Sequence, residues 1–250
     1  MANLLSLTQQ FRQLYRKVFP IPCLLCGLPT EEHALCQGCI NELPLIKQHC
    51  LRCVIPLASG HICGQCLKKP PIQDISLSLY RYEQAVPRMM SALKYHRQVQ
   101  IADLCAREFI KQHSLNSLPE VLIPIPLHPS RLRQRGYNQS LLFAEKLAAL
   151  LNISCQPELL KRIKKTANQT QLNAKQRHKN MRHAFQYSSE FLPEHVAIID
   201  DVMTSGATTH EAARELKRSG VKIIEVWTNT RARSHYKTSL KKPPTPQPAC

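Results

Sequence analysis

Eight of the eleven cysteines fall between Cys23 and Cys66, and all eight sit in C-x-x-C pairs. The arrangement Cys23-x2-Cys26-x9-Cys36-x2-Cys39 returns 27 residues later as Cys50-x2-Cys53-x9-Cys63-x2-Cys66, an internal repeat with identical spacing. Each copy offers four thiolates, enough to close a tetrahedral zinc site with no open position for catalysis, so two structural zinc ions are expected. Two knuckles joined by nine residues fit a zinc ribbon. The spacing is compatible with sequential pairing within each copy and with cross-braced pairing of alternate knuckles; an iron–sulfur cluster is the competing occupant. The N-terminal residues lack the layout of a secretory signal, which makes a reducing, cytoplasmic location the expectation and favours metal ligation over disulfides.

A second cluster of chemistry-bearing residues lies in VAIIDDVMTSGATT, residues 196–209. Four apolar residues read as a buried strand that delivers Asp200 and Asp201 to its C-terminal edge, where open α/β sheets bind ligands. The following Thr204, Ser205, Gly206, Ala207 and Thr208 turn into a helix whose first amides are free to meet an anion. Gly206 allows close backbone approach, and the hydroxyls add donors. Paired carboxylates beside a phosphate cradle suit a sugar phosphate, hydroxyls on the acids and 5′-phosphate on the loop.

The formal net charge is +17, and it is unevenly spread: residues 76–195 hold 18 Lys/Arg against 8 Asp/Glu. A field of that sign attracts nucleic acid or phosphorylated small molecules. Arg131, Arg133 and Arg135 follow the apolar run VLIPI at the same expected sheet edge, where guanidiniums suit a pyrophosphate or a nucleic-acid backbone. Arg135 with one neighbour is the firmer pair. Residues 161–182 contain eight Lys/Arg and no acid, among them Lys164, Lys165, Lys175, Arg177, Lys179 and Arg182. This stretch reads as a basic loop over a site or as a single-strand-binding surface; with few aromatic residues nearby, an electrostatic grip is favoured over base readout.

VAIIDDVMTSGATT resembles the signature of type I phosphoribosyltransferases. By that resemblance Asp200 and Asp201 contact the ribose hydroxyls of phosphoribosyl pyrophosphate, residues 204–208 wrap its 5′-phosphate, and magnesium bridges hydroxyls and pyrophosphate. PIPLHPSRLRQRGYNQS (124–140) and TANQTQLNAKQRHKNMRHAF (166–185), behind a four-knuckle zinc module, resemble the ComF family of competence-associated proteins. The resemblance implies a phosphoribosyltransferase-like fold with single-stranded DNA, and competence proteins such as a helicase or DNA-processing factors, as partners. Purine-salvage relatives often carry an acid where this chain has Thr204, so the resemblance implies the ligand more directly than the reaction.

The elements that must position these residues follow from pattern. Leu4, Leu7, Phe11, Leu14 and Val18 form the stripe of a docking helix within residues 1–20. The double ribbon spans 21–68, and KKPPIQD (68–74) reads as a linker. Residues 75–232 alternate strands and helices: strands at 75–82, 121–125, 158–163, 196–199 and 221–227, helices at 86–95, 99–113, 138–151 and 210–219. Short apolar strands alternating with helices predict an α/β fold with a mostly parallel sheet. Residues 233–250 form a Pro/Lys tail expected to be disordered. No run of 18 apolar residues occurs, so no spanning helix is expected.

Two functions fit. One is a phosphoribosyl-pyrophosphate-binding protein that handles single-stranded DNA during natural transformation. The alternative is a magnesium-dependent phosphoribosyltransferase acting on a base that the sequence does not name. The charge and the ComF resemblance favour the first.

Overall fold

The computed structural model describes residues 21–30, 34–115, 117–164 and 174–232. The expected N-terminal helix and C-terminal tail lie outside the described residues. Among these residues no helix is long and apolar enough to cross a membrane.

The N-terminal module holds a two-residue hairpin, β1 (Ile21–Pro22) against β2 (Pro29–Thr30), and two single-turn helices, α1 (Gln37–Asn41) and α2 (Gly64–Lys68). Cys36 and Cys63 occupy equivalent N-cap positions on those two helices, so the sequence repeat is also a structural one. The segment from Pro44 to Arg52 lies along strand β3 (Ile75–Arg81): Ile46 N–H donates to Leu79 O, Ser76 N–H to Leu51 O and Arg81 N–H to Pro44 O. The stretch read as a linker is pinned at its C-terminal end. Gln73 is buried and donates to Arg52 O at 3.2 Å, while Asp74 takes the Ile224 amide on its carboxylate at 2.9 Å.

After β3 come α3 (Val86–Tyr95), with a proline in its first turn where no amide is missed, and α4 (Gln100–Gln112). Strand β4 (Val121–Pro124) leads to α5 (Pro129–Arg135) and α6 (Gln139–Leu151). A two-residue β5 (Ser154–Cys155) and a 3-10 turn (Pro157–Leu159) precede β6 (Leu160–Arg162). Helix α7 (Ala174–Met181) and β7 (Phe185–Tyr187) follow, then β8 (His195–Met203), α8 (Ala207–Ser219) and β9 (Ile223–Arg231).

The main sheet has order β3-β9-β8-β4-β5 and is parallel throughout. Its central strands are apolar on both faces because helices cover both. Ala197, Ile199 and Trp227 share one core with Met90, Phe109 and Phe143; Val196, Ile198 and Val226 share the other with Leu216 and Phe185. Trp227 is fully buried, 5.5 Å from the Phe109 ring, and its indole N–H donates to Glu225 at 2.7 Å, so the largest side chain leaves no orphaned donor. Full burial of a side chain such as Phe143 contributes about 1.5–3 kcal/mol. The ribbon residues Leu35, Ile40 and Leu43 belong to the first core, so the metal module and the sheet are packed as one body.

The fold is the α/β architecture the pattern predicts, with differences that include three elements, β5, α7 and β7, where none was expected. The basic stretch between the expected strand at 121–125 and helix at 138–151 forms a helix of its own, α5. The expected strand over 158–163 is half 3-10 turn, and its strand half, β6, pairs antiparallel with β7 in a small sheet separate from the main one.

Candidate functional site

The eight cysteines form two four-thiol groups, Cys23, Cys26, Cys36, Cys39 and Cys50, Cys53, Cys63, Cys66, with all sulfurs of a group within 4.8 Å of one another. Pairing is sequential, not cross-braced. The Sγ atoms of Cys26 and Cys36 are 3.6 Å apart and those of Cys53 and Cys63 3.7 Å. A tetrahedron with zinc–sulfur bonds of about 2.3 Å has sulfurs at roughly 3.8 Å, so the thiols fit zinc. The Cys63 amide donates to Cys50 Sγ at 3.3 Å, as expected of a thiolate acceptor. Burial opposes ionisation of Cys23, yet the amides of Cys26, Cys36 and Leu25 outweigh it and hold the thiol down at about 6. Burial and the neighbouring sulfurs push Cys39 up to about 12. Four thiols so close cannot all ionise without a cation among them.

The second centre is the C-terminal edge of the sheet. Strand β4 stops at Pro124, opposite Ile199 of β8, while β8 runs on to Met203 against β9. Asp200 and Asp201 therefore stand on a strand that has lost one neighbour. Successive strand residues face opposite ways, so the two carboxylates leave on different faces of the sheet. Asp201 lies on the Ile199 face and meets the Lys94 ammonium of α3 at 2.8 Å. Asp200 accepts from the Ser140 hydroxyl at 3.0 Å and from the Asp201 amide at 2.9 Å. Burial, together with the adjacent Asp201 charge, pushes the Asp200 carboxyl up to about 7, with Lys94 and Ser140 acting against the rise.

The segment after β8 turns through Gly206, whose φ of +73° places it in the left-handed region before α8 begins at Ala207. An added Cβ would meet nothing closer than Thr209 Oγ1 at 3.9 Å. The glycine is thus required by backbone conformation rather than by crowding within the chain. Ser205 Oγ receives the Ala207 amide at 3.4 Å, and Thr209 donates back to Gly206 O at 3.1 Å. Thr204 and Thr208 are partly exposed at the same turn.

The motif RLRQRGYNQS is a joint. Arg131 and Arg135, four residues apart on α5, share a face and are half-buried; Arg133 points elsewhere and is exposed. Gly136 ends the helix at φ +81°. The Tyr137 hydroxyl donates to Leu93 O of α3, and Asn138 caps α6 through the Ser140 amide while donating to Ile125 O at 3.0 Å. Arg135 donates to Gln139 at 3.2 Å and stacks over Tyr95, 5.2 Å from the ring centroid. Burial and the like charge of Arg135 lower the Arg131 pKa. Of the three arginines, the structure brings Arg131 and Arg135 together and leaves Arg133 out.

The described residues of 161–182 fall mainly in β6 and α7, and Arg162 of β6 is within electrostatic reach of Asp200 at this edge. The small sheet and α7 are tied to α8 by Glu211, which accepts from the His183 amide at 2.7 Å, and by Glu215, which accepts from the Tyr187 amide at 3.2 Å. Arg177 and Lys179 lie on α7, a correction to the loop expected there; Lys175 is on the same helix. Lys164 donates to Arg182 O at 3.3 Å, and both side chains are exposed. Lys165 lies outside the described residues.

Four residues that motif reading did not single out complete the geometry. Lys94 holds Asp201. Ser140 holds Asp200. Arg162, on β6, is within electrostatic reach of Asp200: burial and the like charge of Arg131 push it down to about 10, while Asp200 pulls the other way, and its guanidinium carbon stands 5.7 Å from the Phe185 centroid. Arg231, at the end of β9, is buried and donates to Met203 O at 3.0 Å and to Thr204 O.

A parallel sheet with an acid pair and a phosphate-type turn at its C-terminal edge defines the phosphoribosyltransferase class, here joined to two four-cysteine zinc-binding sites. Residues 138–244 match the phosphoribosyl transferase domain family and residues 14–67 the double zinc ribbon domain family. The chain is similar to competence protein F of Haemophilus influenzae, 32% identical over 86% of this chain and 98% of that protein. It is 31% identical to the DNA utilization protein YhgH of Escherichia coli O157:H7 over 82% of this chain and 94% of the relative, and 28% identical to competence protein ComFC of Bacillus subtilis over 79% and 89%. The chain belongs to the ComF family of competence proteins.

Proposed function

We propose that this protein binds phosphoribosyl pyrophosphate at the sheet edge, grips single-stranded DNA through the surrounding cations, and serves DNA uptake in the cytoplasm, with competence proteins as partners. The observation that supports the reading is the acid pair Asp200 and Asp201 followed at once by the 204–208 turn at the C-terminal edge of a parallel sheet, with Arg162 in electrostatic reach of Asp200 and Arg131 of Arg162 and Arg135. The acids suit ribose hydroxyls and a magnesium ion, whose chemistry when bound is to neutralise the pyrophosphate oxygens. The turn suits the 5′-phosphate, and the guanidiniums suit the pyrophosphate or a DNA backbone. Tyr95 is 64% exposed beside Arg135 and supplies an aromatic surface on which a base can stack without being read. The names of the relatives, competence and DNA utilization, support the cellular role.

Calorimetry with phosphoribosyl pyrophosphate and magnesium tests the ligand: wild type binds, and Asp200→Ala with Asp201→Ala does not. Equal binding by that double variant removes the assignment. The DNA arm is tested by titrating labelled single strands at rising salt, where absent or salt-independent binding overturns it.

A second reading, phosphoribosyl transfer to a base, is favoured by one observation. Asp200 is held near neutrality, where a carboxyl can move a proton, and this offsets Thr204 standing where purine-salvage relatives often have an acid. Magnesium-dependent pyrophosphate release across a panel of nitrogenous bases decides between them; a clear hit establishes transfer.

A further inference from the structure

Arg231 closes β9 with its side chain only 6% exposed. Its Nε donates to Cys53 O at 2.8 Å, and its Nη1 donates to Met203 O at 3.0 Å, Thr204 O and Ala232 O at 2.7 Å. Cys53 belongs to the second four-thiol group; Met203 and Thr204 lead into the phosphate-type turn. One guanidinium thus joins the end of β9 to a backbone carbonyl 178 residues away in sequence. Among the described residues no carboxylate forms an ion pair with it, so its donors are spent on carbonyl oxygens.

Those bonds do more than fill a strand end. The peptide unit is planar and trans, so holding the Met203 and Thr204 carbonyls toward Arg231 directs the Thr204 and Ser205 amides the opposite way. Donors of that kind must be held before an anion arrives if binding is not to spend free energy on ordering them. The Cys53 end is equally constrained, because its carbonyl belongs to a knuckle whose shape four metal-ligating thiols maintain. Lysine has one donor centre and cannot span both groups.

We infer that Arg231 is a positioning residue that makes the second zinc ribbon part of the phosphate-turn scaffold, so that the integrity of the Cys50, Cys53, Cys63, Cys66 centre sets the turn's affinity for a phosphomonoester. The affinity arm rests on the phosphoribosyl-pyrophosphate reading; the mechanical arm does not.

The test is amide hydrogen exchange on the full-length, zinc-loaded protein, comparing wild type with Arg231→Lys, Cys63→Ala in the second centre and Cys26→Ala in the first. Amides of residues 204–209 exchange roughly tenfold faster in Arg231→Lys and in Cys63→Ala, a typical coupling magnitude. Measured relative to the amides of β4 and α6, which report general loosening, they keep their wild-type rate in Cys26→Ala. Unchanged protection of 204–209 in Cys63→Ala, with one zinc lost by metal analysis, overturns the inference; so does equal loss in both cysteine variants, which would mark general loosening. Calorimetry with phosphoribosyl pyrophosphate and magnesium then follows the same order, about tenfold weaker in Arg231→Lys and Cys63→Ala. Full affinity in those variants overturns the affinity arm. Absence of binding by wild type defeats the ligand reading instead, and the exchange result alone then decides the role of Arg231.

Discussion

Lys94 and Asp201 meet at 2.8 Å across the sheet edge, and through that contact helix α3 supplies the counter-charge for an acid pair that β8 alone would leave repelling itself. Both side chains are mostly buried, at 21% and 14% exposure, so the pair is neither a solvent-screened bridge nor a fully dry one. Lys94→Met leaves two adjacent carboxyls without it and is expected to lower unfolding stability by about 1–3 kcal/mol. Adding Asp201→Asn should recover most of that loss. Urea denaturation of the single and double variants measures both; a double variant as unstable as the sum of its parts contradicts the pairing.

The Asp200 carboxyl gives the site a pH signature. Its ordinary value is 3.8 and its folded value about 7. A raised folded value means that its contribution to stability is fully present below about pH 3.8 and is lost as pH rises through 7. Ligand binding runs the other way, because ribose hydroxyls and magnesium need the carboxylate. Phosphoribosyl-pyrophosphate affinity is therefore expected to climb toward pH 7 and level off above it. Asp200→Asn binds weakly but without that climb, and calorimetry across pH 5.5–8.5 checks it by comparison, the ligand's own ionisation being common to both proteins.

Each ribbon should hold one zinc ion, two per chain by elemental analysis, and Cys26→Ala and Cys63→Ala should each retain one. Because Leu35, Ile40 and Leu43 share a core with Trp227, chelation is expected to destabilise the sheet as well as the ribbons. A loss of ~3 kcal/mol lowers the melting temperature by roughly 6–12 °C for a domain of this size. An unchanged main transition after zinc removal would show that the two parts are independent.

Single-stranded DNA should bind with little dependence on base sequence and a steep inverse dependence on salt. Replacing Arg131 or Arg135 by Gln removes one backbone contact and reduces the slope of log affinity against log salt by about 0.7 each. Arg133→Gln, on the exposed side of α5, is the control and should leave the slope unchanged.

Much of this arrangement is legible from residue pattern. The apolar runs at 121–124 and 196–199 are strands because they are buried on both faces, and the helices at 86–95 and 139–151 follow their periodicity and the Asn138 cap. Helix α5 escapes that reading because it buries no residue, and it forms instead through the His128 cap and the Gly136 stop. Residues 200–203 continue β8 although two of them are acids, since β9 pairs with them and burial alone does not define a strand. The phosphate-type turn announces itself locally, in consecutive residues. Lys94, Arg162 and Arg231 do not: each is an unremarkable basic residue on its own element, and only the packing of distant elements brings it to the acids or the turn.

With zinc withdrawn, the stretch from Pro44 to Arg52 would keep its bonds at Arg52 but lose the braced knuckle at Cys50, and its hold along β3 would weaken. The amides of Ser76 and Arg81 and the carbonyl of Leu79, now matched by Leu51, Pro44 and Ile46, would become the open rim of a parallel sheet. Such a rim is a template for another chain's strand. Metal starvation in the cell would then appear as self-association as well as weakened ligand binding, and the two ribbons would count as protection against aggregation as much as a part of the binding site.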